Sequence, residues 1–146
     1  MRCDICISVL VADRLSSLML IVSSLVTLCV LVYALSQDAN DDSNETPISV
    51  FNPSYLVLCA GIANSFLAGD LFNLYVGFEV LLAASYVLLT LGGSASRVRA
   101  ATTYVIVSVL SSVIFLSAIA AIYAAAGTVN MAELAVRLDG LEPVQR

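Results

Sequence analysis

Histidine and lysine are absent from this sequence, and charge of any kind is scarce: 12% of the 146 residues are charged, 11 acidic and 6 basic. Without histidine the commonest general base and a usual haem ligand are missing. No glycine-rich nucleotide loop or P-loop appears either. Cysteine is sparse, and the one suggestive spacing is the C-x-x-C of "CDIC", Cys3 to Cys6. A structural zinc needs a full tetrahedral set of ligands, and the remaining cysteines, Cys29 and Cys59, fall inside apolar runs, so no metal site is expected. Covalent chemistry, a cofactor and a nucleic-acid partner are likewise not expected, and the chain does not read as an enzyme.

What the sequence has in abundance is apolar surface. Hydrophobic residues make up 60% of it, and the mean hydropathy is +0.99, far from the composition of a soluble globular domain. A hydrocarbon core of about 30 Å takes roughly 20 apolar residues of helix to cross. Leu15 to Leu35, Val50 to Gly69 and Ala100 to Gly127 carry no Asp, Glu, Lys or Arg, and Leu71 to Leu91 carries only Glu79. The first run is too long for the apolar core of a signal peptide and is followed by more apolar runs rather than a soluble domain. The expected fold is an all-α, multi-pass transmembrane bundle of about four spanning helices in a cell membrane. The segments read as 1–14, an N-terminal piece; 15–35, a span; 36–53, an acidic loop; 54–69 and 70–91, two spans; 92–101, a basic loop; 102–126, a span; and 127–146, an interfacial piece.

The chain from Ser54 to Leu91 is too long for one crossing and must turn. Gly69 suits the left-handed conformation that ends a helix, Asp70 suits an N-cap, and Asn73 stands at the third position of the next helix. Capping is therefore the favoured role of Asp70, ahead of ion handling. That hairpin fixes the depth of Glu79: at about 1.5 Å per residue from Leu71 it lies roughly 12 Å into the membrane, near the middle. Tyr75, Ala83 and Tyr86 share its helical face at i−4, i+4 and i+7, a stripe suited to other helices or a wet cavity. A carboxyl at such depth costs about 2.5–3.5 kcal/mol even on lenient scales and generally marks a proton or ion path. Desolvation favours the neutral form of a carboxyl and a nearby cation the charged one, so a group held between the two can load and release a proton. The bland alternative is a protonated glutamate bonded permanently to a neighbouring helix.

"GDLFNLYVGFEVLLAASYVLL" resembles the fifth transmembrane helix of the antiporter-like subunits shared by Mrp-type cation/proton antiporters and respiratory complex I, most closely the D-type subunits of the Mrp complexes. "VADRLSSLMLIVSSLVTLCVLVYAL" is similar to that family's third helix, and "TTYVIVSVLSSVIFLSAIAAIYAAAGTVNMAEL" to its sixth helix and the Gly-Thr-x-Asn segment after it. The resemblance implies that Glu79 is the family's proton-carrying glutamate, working with a lysine on a later helix. No lysine is present here, because all six basic residues are arginine. Gly77 stands where the D-type subunits often have tryptophan and complex I relatives often have glycine. The resemblance covers only the third to sixth helices, so the chain is expected to be a fragment of a monovalent cation/proton antiporter subunit. Its implied partners are the other subunits of a hetero-oligomeric complex, membrane lipid, protons and monovalent cations. Two alternatives are a proton-translocating subunit of a complex I-like oxidoreductase and an inactive truncated piece.

Four spans place the N-terminus, the Gly69-Asp70 hairpin and the C-terminus on one side. Counting arginines makes that side cytoplasmic. The resemblance implies the reverse, with Arg97 and Arg99 in the cytoplasm, and is followed here because Asp4, Asp13, Asp139 and Glu142 accompany the arginines near the two ends. "SQDANDDSNETP" reads as a solvated loop whose "NET" matches a glycosylation pattern of low specificity. In "NMAELAVRL", Asn130 is an expected N-cap, Glu133 its capping-box partner and Glu133/Arg137 an i, i+4 pair on a short interfacial helix. Ser108, Ser111, Ser112 and Ser117 suit close helix packing; Ser108 and Ser112, at i, i+4, also suit a hydroxyl path, the less favoured role.

Overall fold

In hydrocarbon every backbone polar group must be satisfied within the chain, and helices do this segment by segment. The computed structural model describes residues 10–38, 48–91 and 93–139. Its elements are α1 (Arg14–Asp38), α2 (Ile48–Leu67), α3 (Leu71–Thr90), α4 (Ala95–Ala126) and α5 (Met131–Asp139). The first four are long and apolar enough to cross a membrane. Among the described residues there is no strand, and extended backbone pairs only at two isolated bridges. The Cys3–Cys6 motif and the "NET" tripeptide lie outside the described residues.

Several helices start on a residue able to bond free amides. Asp13 Oδ1 accepts from the Ser16 amide at 2.6 Å at the head of α1, and that bond holds the Asp13 carboxyl below its ordinary range. Ser94 Oγ accepts from the Arg97 amide before α4, while Arg97 Nη1 donates back to the Leu91 carbonyl at 2.8 Å. These bonds draw most of the expected basic loop into the helix, so α4 begins at Ala95 rather than Thr102. α2 begins earlier than Ser54 too, with Pro53 inside it. So near the start, proline removes one amide donor without ending the helix. α4 ends on Gly127, whose φ of 70° is left-handed and whose amide reaches the Tyr123 carbonyl.

The turn between α2 and α3 departs from expectation. Gly69 is buried but has no positive φ; among the described glycines only Gly93 and Gly127 do. Neighbouring chain takes up the free backbone groups instead. The Val11 amide donates to the Leu67 carbonyl at 2.8 Å, the Leu71 amide to Val129 at 2.9 Å and the Met131 amide to Gly69 at 3.1 Å. A narrow belt of extended chain thus ties the head of α1, the α2–α3 turn and the tail of α4 together at one end of the bundle.

α2 and α3 pack most extensively, followed by α3 with α4; α1 leans on α2. Close approach of α2 to α3 depends on two glycines. A Cβ on Gly61 would meet the Leu81 amide nitrogen at 2.9 Å, and one on Gly77 would meet Ser65 Oγ at 2.7 Å and Asn64 Nδ2 at 2.9 Å. Gly77 is therefore a helix contact, and a side chain of tryptophan size has no room there. Tyr55, stacked on Phe51 with centroids 5.6 Å apart, donates to the Thr27 carbonyl of α1 at 2.6 Å. Among the described residues the buried apolar set is small (Tyr55, Ala84, Ala101, Ile119), and α1 and α4 expose rows of Leu, Ile and Val. Such surfaces suit lipid or further protein rather than water.

Candidate functional site

Glu79 sits on the third turn of α3, roughly 12 Å from Leu71 along the helix. It is half-buried on the flank that faces α4. Across that interface Ser112 Oγ donates a hydrogen bond to Glu79 Oε1. Ser112 is 7% exposed, one of few buried polar residues among those described. One turn back along α3, Tyr75 Oη lies 3.3 Å from the same Ser112 oxygen. The three groups form a continuous run of oxygen: phenol, hydroxyl, carboxyl.

Aromatic rings gather at the Tyr75 end of this run. Tyr75 meets Phe115 edge-on at 6.0 Å and tilts toward Phe72 at 6.3 Å. Phe78 also meets Phe115 edge-on, at 6.1 Å. The described arginines stand elsewhere: Arg14, Arg97 and Arg99 in the opening turns of α1 and α4, and Arg137 in α5. Among the described residues no three His, Cys, Asp or Glu side chains gather as a metal would require.

The other residues singled out in the sequence fall into different settings. Asp70, with extended backbone, is the N-cap of α3, its Oδ1 accepting from the Asn73 amide at 2.6 Å. The Asn73 side chain turns to α2, where its Oδ1 accepts from Asn64 Nδ2 at 3.3 Å; its own Nδ2 is inaccessible and unpaired. Ser108, Ser111 and Ser117 spend their hydroxyls on carbonyls one turn back in α4, those of Tyr104, Val107 and Val113. Ser108 thus does not join Ser112 in a path along one helix. The stripe around Glu79 also divides, because Tyr75 faces α4 whereas Ala83 and Tyr86 are exposed.

At the end of the bundle, Asn130 Oδ1 accepts from the amides of Ala132 and Glu133. Glu133 does not reach back to the Asn130 amide as a simple capping box would. Its carboxylate accepts from Thr128 Oγ1 at 2.9 Å, and Thr128 Oγ1 in turn accepts from the Asn130 amide at 3.3 Å. Arg137 pairs with Glu133 at 2.5 Å and also donates to the Ala126 carbonyl. The Thr128 hydroxyl, and then Arg137, hold the Glu133 carboxyl below its ordinary range.

Residues 68–142, just over half of the chain and all of α3 and α4, match the family described as NADH:quinone oxidoreductase/Mrp antiporter, TM. The chain belongs to this family. The matched region holds Glu79, Tyr75, Ser112, Asp70 and Asn73 together. Similar over a longer stretch is the D-type Na(+)/H(+) antiporter subunit of Alkalihalophilus pseudofirmus, 43% identical over 134 residues, which are 92% of this chain and 26% of that protein. The probable D-type K(+)/H(+) antiporter subunit of Rhizobium meliloti is 44% identical over 138 residues, 94% of this chain and 24% of that protein. The D-type Na(+)/H(+) antiporter subunit of Bacillus subtilis is 36% identical over 131 residues, 90% and 26% respectively. The chain therefore spans about a quarter of the length of these curated relatives. It is a multi-pass membrane member of the NADH:quinone oxidoreductase/Mrp antiporter family, similar to the D-type antiporter subunits.

Two partners within the site are not legible in the sequence. Spacing places Tyr75 on the face of Glu79, but nothing in the sequence links its phenol to an α4 hydroxyl. Asn64 carries no signal at all; only the α2–α3 packing brings it against Asn73.

Proposed function

We propose that this chain is part of the D-type subunit of a multi-subunit monovalent cation/proton antiporter, in which Glu79 takes up and releases a proton. The observation that carries the proposal is a carboxyl roughly 12 Å inside a membrane-spanning helix, held by a neutral hydroxyl of the next helix rather than by a permanent ion pair. A carboxyl fixed by a guanidinium would be locked in its charged form, whereas one bonded to a hydroxyl is accommodated both charged and neutral. The role is that of a transporter subunit rather than a catalyst, with the other subunits of the complex, membrane lipid, protons and monovalent cations as its partners. The similar proteins are named for both Na(+) and K(+), so the proposal extends to monovalent cations as a class.

A second reading keeps Glu79 and changes the energy source. The family also takes in NADH:quinone oxidoreductase subunits, in which redox chemistry elsewhere would drive the same carboxyl. Genes for small Mrp-type subunits beside this one support antiport, and genes for iron–sulfur or quinone-site subunits support the redox reading.

Glu79→Gln in the assembled complex tests the role of the carboxyl. Glutamine keeps the volume and accepts from Ser112 but has no proton to release, so cation-driven proton movement in everted vesicles is expected to vanish while assembly persists. Near-normal exchange would remove Glu79 from the mechanism.

A further inference from the structure

We infer that Tyr75 and Ser112 form the proton relay that serves Glu79 from the hairpin side of the membrane, an inference that rests on the proposed role of Glu79. A serine hydroxyl has one proton to donate. In the structure that proton goes to Glu79 Oε1, so the hydrogen in the Tyr75–Ser112 contact belongs to the Tyr75 phenol. With Glu79 ionised, every bond in the run then points the same way, from Tyr75 through Ser112 into the carboxylate. This is the arrangement needed to deliver a proton.

The direction along the membrane follows from helix geometry. Tyr75 is four residues nearer than Glu79 to the Gly69-Asp70 turn, roughly 6 Å along the axis. Ser112 is set apart from the serines around it on α4 by what it does with its hydroxyl. Ser108, Ser111 and Ser117 return theirs to their own helix, which suits packing, while Ser112 reaches across to α3 from a buried position. The rings of Phe72 and Phe115 lie against Tyr75, and Phe78 meets Phe115, so the Tyr75 end of the run is bordered by apolar surface.

The transfer balances without any further reagent than water. A hydronium ion on the hairpin side gives its proton to Tyr75 Oη as the phenolic proton passes to Ser112 Oγ and the Ser112 proton passes to Glu79 Oε1. Three O–H bonds break, in hydronium, Tyr75 and Ser112, and three form, in Tyr75, Ser112 and Glu79. Hydronium becomes water, the carboxylate becomes a carboxylic acid, and both hydroxyls end neutral. Unloading is the same sequence reversed. Each hydroxyl must rotate before the next proton can move in the same direction.

Tyr75→Phe is the most informative variant because the ring, and with it the contacts to Phe72 and Phe115, remains while only the phenolic oxygen is lost. In vesicles carrying the complete complex, Tyr75→Phe and Ser112→Ala are each expected to slow proton exchange on the order of 100-fold. The double variant should be no slower than the slower single one, as for steps in series. Ser112→Thr, which restores a hydroxyl, should recover exchange over Ser112→Ala at equal assembly. Near-normal exchange in Tyr75→Phe, with Glu79→Gln inactive, would overturn the relay and leave Glu79 in place. Near-normal exchange in Glu79→Gln as well would instead remove the function on which the relay rests.

Discussion

At the scale of single residues, two carboxylates nine positions apart have opposite settings. Asp70 Oδ1 accepts a backbone amide at the head of α3, whereas Glu79 accepts a side-chain hydroxyl from another helix. A cap needs an acceptor, not a charge. Asp70→Asn is therefore expected to leave both stability and exchange nearly unchanged, while Asp70→Ala should cost about 1 kcal/mol of stability, read from thermal unfolding in detergent. Loss of exchange in a well-folded Asp70→Asn protein would move Asp70 into the proposed proton path. The cap is legible in the sequence because its three-residue spacing is local. The partner of Glu79 is not, because Ser112 lies 33 residues away and composition cannot tell it apart from Ser108, Ser111 and Ser117 beside it.

At the scale of elements, the α2–α3 pair shows how small residues set the position of a site. Gly61 brings its backbone against Leu81 and Gly77, and Gly77 against Ser65. A methyl group at Gly61 meets main-chain atoms, which cannot rotate away; the nearest atoms at Gly77 are the ends of the Ser65 and Asn64 side chains. Gly61→Ala is expected to destabilise the protein by about 1–3 kcal/mol, and by more than Gly77→Ala does, in denaturant titrations of the detergent-solubilised protein. Equal stability of Gly61→Ala and the parent would mean that α2 and α3 do not need this close approach. Helix boundaries are legible in the apolar runs where a cap or glycine marks them, as at Asp70 and Gly127. They are misplaced where α2 starts before the expected Ser54 with Pro53 tolerated near its start, and where Ser94 and Arg97 carry the helix through an expected loop.

At the scale of the whole molecule, the bundle is thin. Among the described residues its buried apolar core is a handful of side chains, and α1 and α4 present apolar faces outward. The extended belt closes one end by backbone hydrogen bonds that link parts of the chain far apart in sequence. The proposed alternation between loading and release at Glu79 needs a charge that approaches and withdraws, and the described arginines stand at helix ends or in α5. The 146-residue chain by itself, reconstituted in liposomes under a sodium or pH gradient, is therefore expected to show no Glu79-dependent proton flux. Robust flux abolished by Glu79→Gln would show that it needs no charge from elsewhere.

Hydropathy and spacing by themselves determined the class of the protein, the four long apolar helices, the hairpin between the second and third, and the place of Glu79 along the third, because each of these depends on runs and periods within one segment. The tertiary structure decided how those segments use their polar groups. Gly69 keeps an ordinary backbone because Val129 and Met131 pair with the residues around it, and Glu133 turns to Thr128 because the chain after α4 brings that hydroxyl within reach. Ser112 rather than Ser108 faces the carboxyl because α3 and α4 meet in one rotational register among several that the same apolar pattern allows. An apolar run sets how deep a residue lies; only helix packing sets what it faces.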